Sequence, residues 1–283
     1  MERATLCVLG SVACAQSGGA VARLMFDPAG PAGVLLLRLT VAALVFGLAV
    51  RPRVRGWPPA AWRAAVLLGV CSAGLNGLSY VALDVAPQGV VVTASFAGPL
   101  VLALVQTRRP VDLAWAVTAG AGVALLGLRT GVDVPVAGLL AALAAGGCGA
   151  GYIWCSARLG GVLPGFGGLA VSFMVAAALV LPFGAAGAGR ALRDPLLLAG
   201  AVVVAVLSSV VPYAMELIAL RRMSTRVFGI LMSLQPAAAA LAGLLLLGQR
   251  LGTLPIAALI LVTAAAAGAT TRPAAAVRAR AAR

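Results

Sequence analysis

The 283-residue sequence contains no lysine and no histidine. Without histidine there is no imidazole to act as a general base or bind zinc. Without lysine there is no amine for a Schiff base or a phosphate loop. Charge of either sign is scarce: 10% of residues are charged and only seven are acidic. A soluble domain carries about a quarter charged residues, so this composition could not cover a globule in water. The acids are scattered along the chain, which argues against a membrane-embedded transferase with clustered carboxylates at one interface. The five cysteines, Cys7, Cys14, Cys71, Cys148 and Cys155, lie inside apolar segments and form no C-x-x-C pair. No disulfide framework, metal site or cofactor is therefore expected.

What remains is apolar. Hydrophobic residues make up 62% of the chain and the mean hydropathy is +1.08. Charges, prolines and glycines divide it into ten apolar segments at about 4–22, 32–50, 61–83, 89–105, 113–128, 136–157, 165–186, 195–220, 227–247 and 253–271. Each is about long enough for a helix to cross a hydrocarbon core. Helices are the expected form, because open strands leave backbone groups unpaired in lipid and barrel-type alternation is absent. The first run follows Arg3 but precedes nine others, so it reads as a span rather than a cleavable leader. The glycine run Gly146-Gly147-x-Gly149-x-Gly151 follows an apolar helix and no lysine comes after it. It reads as close helix packing, not a phosphate cradle.

All 21 basic residues are arginines, giving a net charge of +14. They sit in short breaks between spans and form no stripe, so nucleic acid is not an expected partner. With the N-terminus inside, cytoplasmic segments hold 15 arginines and outer segments hold five, while Arg38 lies within a span. That bias places both termini in the cytoplasm.

The two halves match in register. ALDVAPQGVVVTASFAGP (82–99) aligns without gaps on ALRRMSTRVFGILMSLQP (219–236), an offset of 137. Five spans repeated make the second copy enter from the opposite side, an inverted repeat with a site near the midplane. The expected architecture is an all-α membrane protein of about ten transmembrane helices in two inverted five-helix repeats, 1–131 and 132–272. A basic cytoplasmic tail, 273–283, follows. Pro99 and Pro236 end the aligned stretches and are expected to kink their helices.

Ionisable groups deep in apolar runs are costly and mark candidate sites. Two stand out, Arg38 and Glu216. Either could instead snorkel to an interface. Neutral polar groups join them: Gln16 and Ser17, then Asn76, Ser79 and Tyr80, then Tyr152 and Trp154, Tyr213, and Ser233 with Gln235. Asn76 and Tyr80 share a helix face. On the repeat offset Asn76 matches Tyr213 and Ser79 matches Glu216. The alternative for each is interhelical hydrogen bonding.

Three stretches carry a family resemblance: GAVARLMFDPAGPAGVLLLRLTVAAL (19–44), residues 82–115 with the Phe-x-Gly-Pro helix at Phe96, and residues 210–249 with Pro-Tyr-x-x-Glu and Arg-x-Phe-Gly-x-Leu-Met-Ser. The chain resembles the drug/metabolite transporter superfamily, EamA type, and within it the bacterial threonine/homoserine exporters. The resemblance implies ten spans, two five-helix repeats, cytoplasmic termini, and efflux of amino acids or related metabolites from the inner membrane. The family pattern places acids just before Phe96 and Pro236, where this chain has Ser95 and Gln235. The expectation is a secondary transporter, not an enzyme, whose partners are a small-molecule substrate and the bilayer, acting as a monomer or homodimer. Glu216 would bind a proton or an ammonium, and Arg38 would pair with Glu216 or a carboxylate. Gln16, Asn76, Tyr80, Phe96, Tyr213, Ser233 and Gln235 would complete the substrate site. Efflux of nucleosides, drugs or cations is the alternative within transport.

Overall fold

A computed structural model describes residues 2–105, 114–115, 117–118, 120–122, 125, 135–163, 165–220 and 231–270. Every regular element among them is helical. In chain order these are α1 (Glu2–Leu24), α2 (Phe26–Ala29), α3 (Pro31–Val50), α4 (Pro59–Val85), α5 (Gln88–Ser95) and α6 (Ala97–Val105). There follow α7 (Val136–Val162), α8 (Gly167–Ala191), α9 (Pro195–Ala205), α10 (Val211–Leu220), α11 (Gln235–Leu247) and α12 (Thr253–Thr270). A single π-turn, Val206–Val210, joins α9 to α10.

Local chemistry sets several boundaries. Pro31, Pro59 and Pro195 open α3, α4 and α9, where a missing N–H costs nothing. Asp194 caps α9 by accepting the N–H groups of Leu196 and Leu197 at 2.9 and 3.4 Å. Gly248, at φ 64°, ends α11 in the left-handed conformation that suits glycine.

Six helical runs are long and apolar enough to cross a membrane: Arg3–Leu24, Pro31–Val50, Pro59–Val85, Val136–Gly160, Gly167–Ala191 and Pro195–Glu216. Two shorter apolar helices, Gln235–Leu247 and Thr253–Ala265, accompany them. The span expected at 89–105 is divided at Phe96 into α5 and α6. Most of the span expected at 113–128 and the start of that at 227–247 lie outside the described residues, as does the tail 273–283.

The surface is the reverse of a soluble protein's. Large apolar side chains face outward, Phe183 at 78% exposure and Leu196 at 81%, while alanines crowd the inside. With lipid outside, helices associate by close packing rather than by escape from water. Accordingly α3 packs on α8, α4 on α7 and α8, α1 on α9, α10 and α11, and α5 on α7 and α11. Glycines set the closest approaches. A Cβ on Gly187 of α8 would strike the Ala29 carbonyl oxygen, and one on Gly98 of α6 the Gly146 carbonyl of α7.

Candidate functional site

Arg38 sits on the face of α3 that also carries Val34, Leu35 and Ala42, all buried. These residues stand four and three before it and four after it, and this face turns it into the bundle. It is 7% exposed, so it does not snorkel. Its Nε donates to Ser209 Oγ at 3.0 Å, Nη1 to the Tyr80 hydroxyl at 3.2 Å, and Nη2 to the Ser208 carbonyl at 3.3 Å. All three acceptors are neutral. The guanidinium carbon also lies 5.6 Å from the centre of the Tyr80 ring. Tyr80 is fixed from behind by Phe26, ring centres 5.3 Å apart.

Glu216 belongs to the same helical run, seven residues beyond Ser209. That is about 10 Å of axial rise. Its Oε1 accepts from Ser11 Oγ of α1 at 2.8 Å. Val8, Val12 and Ala219 form a small apolar cluster at this α1–α10 contact. Arg38 and Glu216 do not pair with each other, contrary to one of the pairings expected from sequence. Each charge has found hydroxyls instead. Among the described residues the one ion pair recorded is Arg23–Asp84, at 3.6 Å.

Tyr213, between Ser209 and Glu216 in the chain, is edge-on to Phe173 at 5.4 Å and tilted to Tyr152 at 6.5 Å. Phe173 stacks on Phe46 at 5.6 Å, and Phe46 on Phe166 at 6.2 Å. This aromatic column leads from Tyr213 towards a cleft of about 820 Å³ lined by Arg51, Arg53, Trp57 and Phe166.

The other expected site residues make contacts of their own. Asn76 turns back to the Ser72 carbonyl of its own helix at 2.8 Å. Gln16 meets Gln88, whose Nε2 donates to the Gln16 carbonyl at 2.7 Å and to its Oε1 at 3.1 Å. Gln249 Oε1 accepts the Gln88 backbone N–H at 3.0 Å, which closes a three-glutamine junction of α1, α5 and the end of α11. Phe96 packs against Val262, Ala265 and Trp115. Ser95 bonds to the Val91 and Ala142 carbonyls at 2.8 and 3.0 Å. Gln235 Nε2 reaches Met232 Sδ at 3.8 Å, and Ser233 is buried in the turn before α11. Pro99 and Pro236 each stand in the first turn of a helix, α6 and α11, so the chain breaks just ahead of them rather than kinking at them.

Sequence reasoning missed Ser11, Ser208 and Ser209. The one available signal was Ser208 standing four residues before Pro212. Ser208 Oγ is buried without a partner among the described residues, although its carbonyl is used. S208A is expected to raise the melting temperature by about 2–4 °C, since an orphaned hydroxyl costs about 1 kcal/mol or more. Thermal unfolding in detergent checks this, and a lower melting point would mean that the hydroxyl has a partner.

The EamA-like transporter family model matches residues 136–271. The threonine/homoserine exporter RhtA of Salmonella typhimurium (strain LT2) is 38% identical over 268 residues, covering 94% of this chain and 90% of that protein. Its namesake in Escherichia coli (strain K12) is 36% identical over 266 residues, covering 93% and 90%. The chain belongs to the EamA-like transporter family. It is thus a multi-pass membrane transporter and not an enzyme, and its apolar exterior is the surface that such a protein presents to lipid. A crystal structure at 22% identity superposes over 100% of this chain and 99% of the other with a TM-score of 0.64, which shows the shared fold of this EamA-like protein.

Proposed function

We propose that this chain exports small amino acids of the threonine/homoserine type across the inner membrane, by alternating access between halves 1–131 and 132–272. The observation that carries the reading is the buried Arg38. A cation inside a bilayer protein with only neutral partners among the described residues is an incomplete ion pair, and burying an uncompensated charge costs several kcal/mol. Of its five N–H donors, three are engaged by the described residues. A substrate carboxylate completes the pair, and Glu216, further along the same helical run, takes the ammonium or a proton. Tyr80 and Tyr213 flank the two charges. The relatives' printed activity supports this substrate class.

Two observations support inverted halves of five spans each. Helix pairing is preserved when the first five spans exchange with the last five. The α3–α8 contact maps onto itself, α4 on α7 becomes α9 and α10 on α1, and α5 on α7 becomes α11 on α1. The helix breaks at Phe96 and Ser233 also fall at the 137-residue offset of the sequence match. Both termini are cytoplasmic in this reading. The excess of arginines in the segments then placed inside supports it, and the Arg23–Asp84 pair joins the ends of α1 and α4, which share one face in either orientation. The partners are the substrate and the bilayer; neither nucleic acid nor a cofactor has a place.

E216Q tests the site. Glutamine still accepts from Ser11, so the contact survives while the charge is lost. Loss of one charge-assisted bond, about 1.5–3 kcal/mol, corresponds to a ten- to hundredfold fall in threonine efflux from preloaded cells. Unchanged efflux would remove Glu216 from the mechanism.

A further inference from the structure

We infer that Pro212 is a positioning residue for Arg38, acting through the Ser208 carbonyl and the π-turn. In an α-helix the carbonyl of residue 208 accepts from the N–H of residue 212. Residue 212 is proline, which has no N–H and whose ring crowds the carbonyl four residues back. At this point the helix widens to the π-turn Val206–Val210, with the Val211 N–H bonded to the Val206 carbonyl. Such turns are rare and recur at functional sites. The Ser208 carbonyl accepts from Arg38 Nη2 at 3.3 Å, and Ser209 Oγ in the same turn accepts from Nε at 3.0 Å.

The partner helix is shaped to this turn. A Cβ on Gly18 of α1 would collide with Ser208 Oγ and lie 2.9 Å from the Ser208 nitrogen. Only glycine there lets α1 lie against the widened backbone. Pro212 leaves the Ser208 carbonyl without its usual helical donor, and Arg38 supplies one from another helix. The inference rests on the transport reading in one respect, that a substrate carboxylate is what Arg38 receives. A neutral carbonyl is an exchangeable partner that such a carboxylate can displace. While no substrate is present, it holds the guanidinium at the junction of α3, α4 and α9–α10.

P212A restores the N–H and offers the Ser208 carbonyl a partner within its own helix. Two readouts then apply. The first is transport: the KM for threonine is expected to rise about tenfold with Vmax within twofold of wild type. S209A, which leaves the backbone alone, is expected to shift KM in the same direction. The second is thermal stability in a cycle with R38M, which removes every donor of Arg38. Whatever the sign of the R38M shift, R38M is expected to be less destabilising in the P212A background than with Pro212 in place, because the carbonyl there has its own donor. Additive melting shifts would overturn the inference, since Pro212 and Arg38 would then act independently. Coupled shifts with an unchanged KM in both P212A and S209A would overturn the positioning role and leave a structural contact. If wild-type protein exports no amino acid, the transport reading falls, and the stability cycle still decides whether Pro212 hands its carbonyl to Arg38.

Discussion

R38Q is expected to reduce threonine efflux about a hundredfold while the protein remains folded. The guanidinium has three acceptors within 3.3 Å, none of them charged. Substitution orphans these acceptors, which costs stability, but it also removes a charge from an apolar interior, which restores some. The net change in stability is therefore small, a few degrees at most in melting temperature. Transport loses two charge-assisted bonds to a carboxylate, at least about 3 kcal/mol together, hence the hundredfold figure. R38K is expected to fall between, because an ammonium keeps the charge but lacks the planar fork that binds a carboxylate through two parallel N–H groups. Efflux and thermal unfolding measured on the same variants separate the two effects. A large loss of stability with proportionate loss of efflux would make Arg38 a structural residue.

The second large effect is on the fold. G187A places a Cβ against the Ala29 carbonyl oxygen and 3.1 Å from Gly33 Cα, so α3 and α8 must move apart. Overpacking of this kind costs about 1–3 kcal/mol, and the upper end applies because backbone on both sides cannot give way. A fall of roughly 6–12 °C in melting temperature is expected for G187A. Gly189, two residues on, has open space where its Cβ would be. G189A is expected to be neutral or slightly stabilising, since alanine loses less entropy in a helix. Equal melting points for the two variants would contradict the packing described for α3 and α8.

The sequence singles out Arg38 and Glu216, because a lone arginine or glutamate in an apolar run is costly enough to need a reason, and the structure gives both of them polar partners inside the bundle. Their partners were not legible. Ser11, Ser208 and Ser209 look like ordinary small residues of a membrane helix, and only the three-dimensional approach of α1 and α3 to the π-turn gives them a role. Asn76 is the converse case. Its i, i+4 relation to Tyr80 is real, yet an asparagine can satisfy its amide on its own helix, and it does so at Ser72. Phe96 carried a recognisable motif, and it packs against Val262 and Ala265 of α12. Pro99 and Pro236 were legible as points of irregularity, but the breaks fall three residues ahead of them, at Phe96 and Ser233. Pro212 was legible only as part of a motif, and the π-turn before it was not.

Competition by threoninol, which keeps the amine and hydroxyl of threonine but replaces the carboxylate with an alcohol, tests the central claim most directly. Purified protein in lipid vesicles loaded with threonine would take up labelled threonine by counterflow. Threonine and homoserine are expected to compete at comparable concentrations, whereas threoninol should compete at least a hundredfold more weakly. Equal competition by threoninol would show that no carboxylate is read, and would contradict the role given to Arg38.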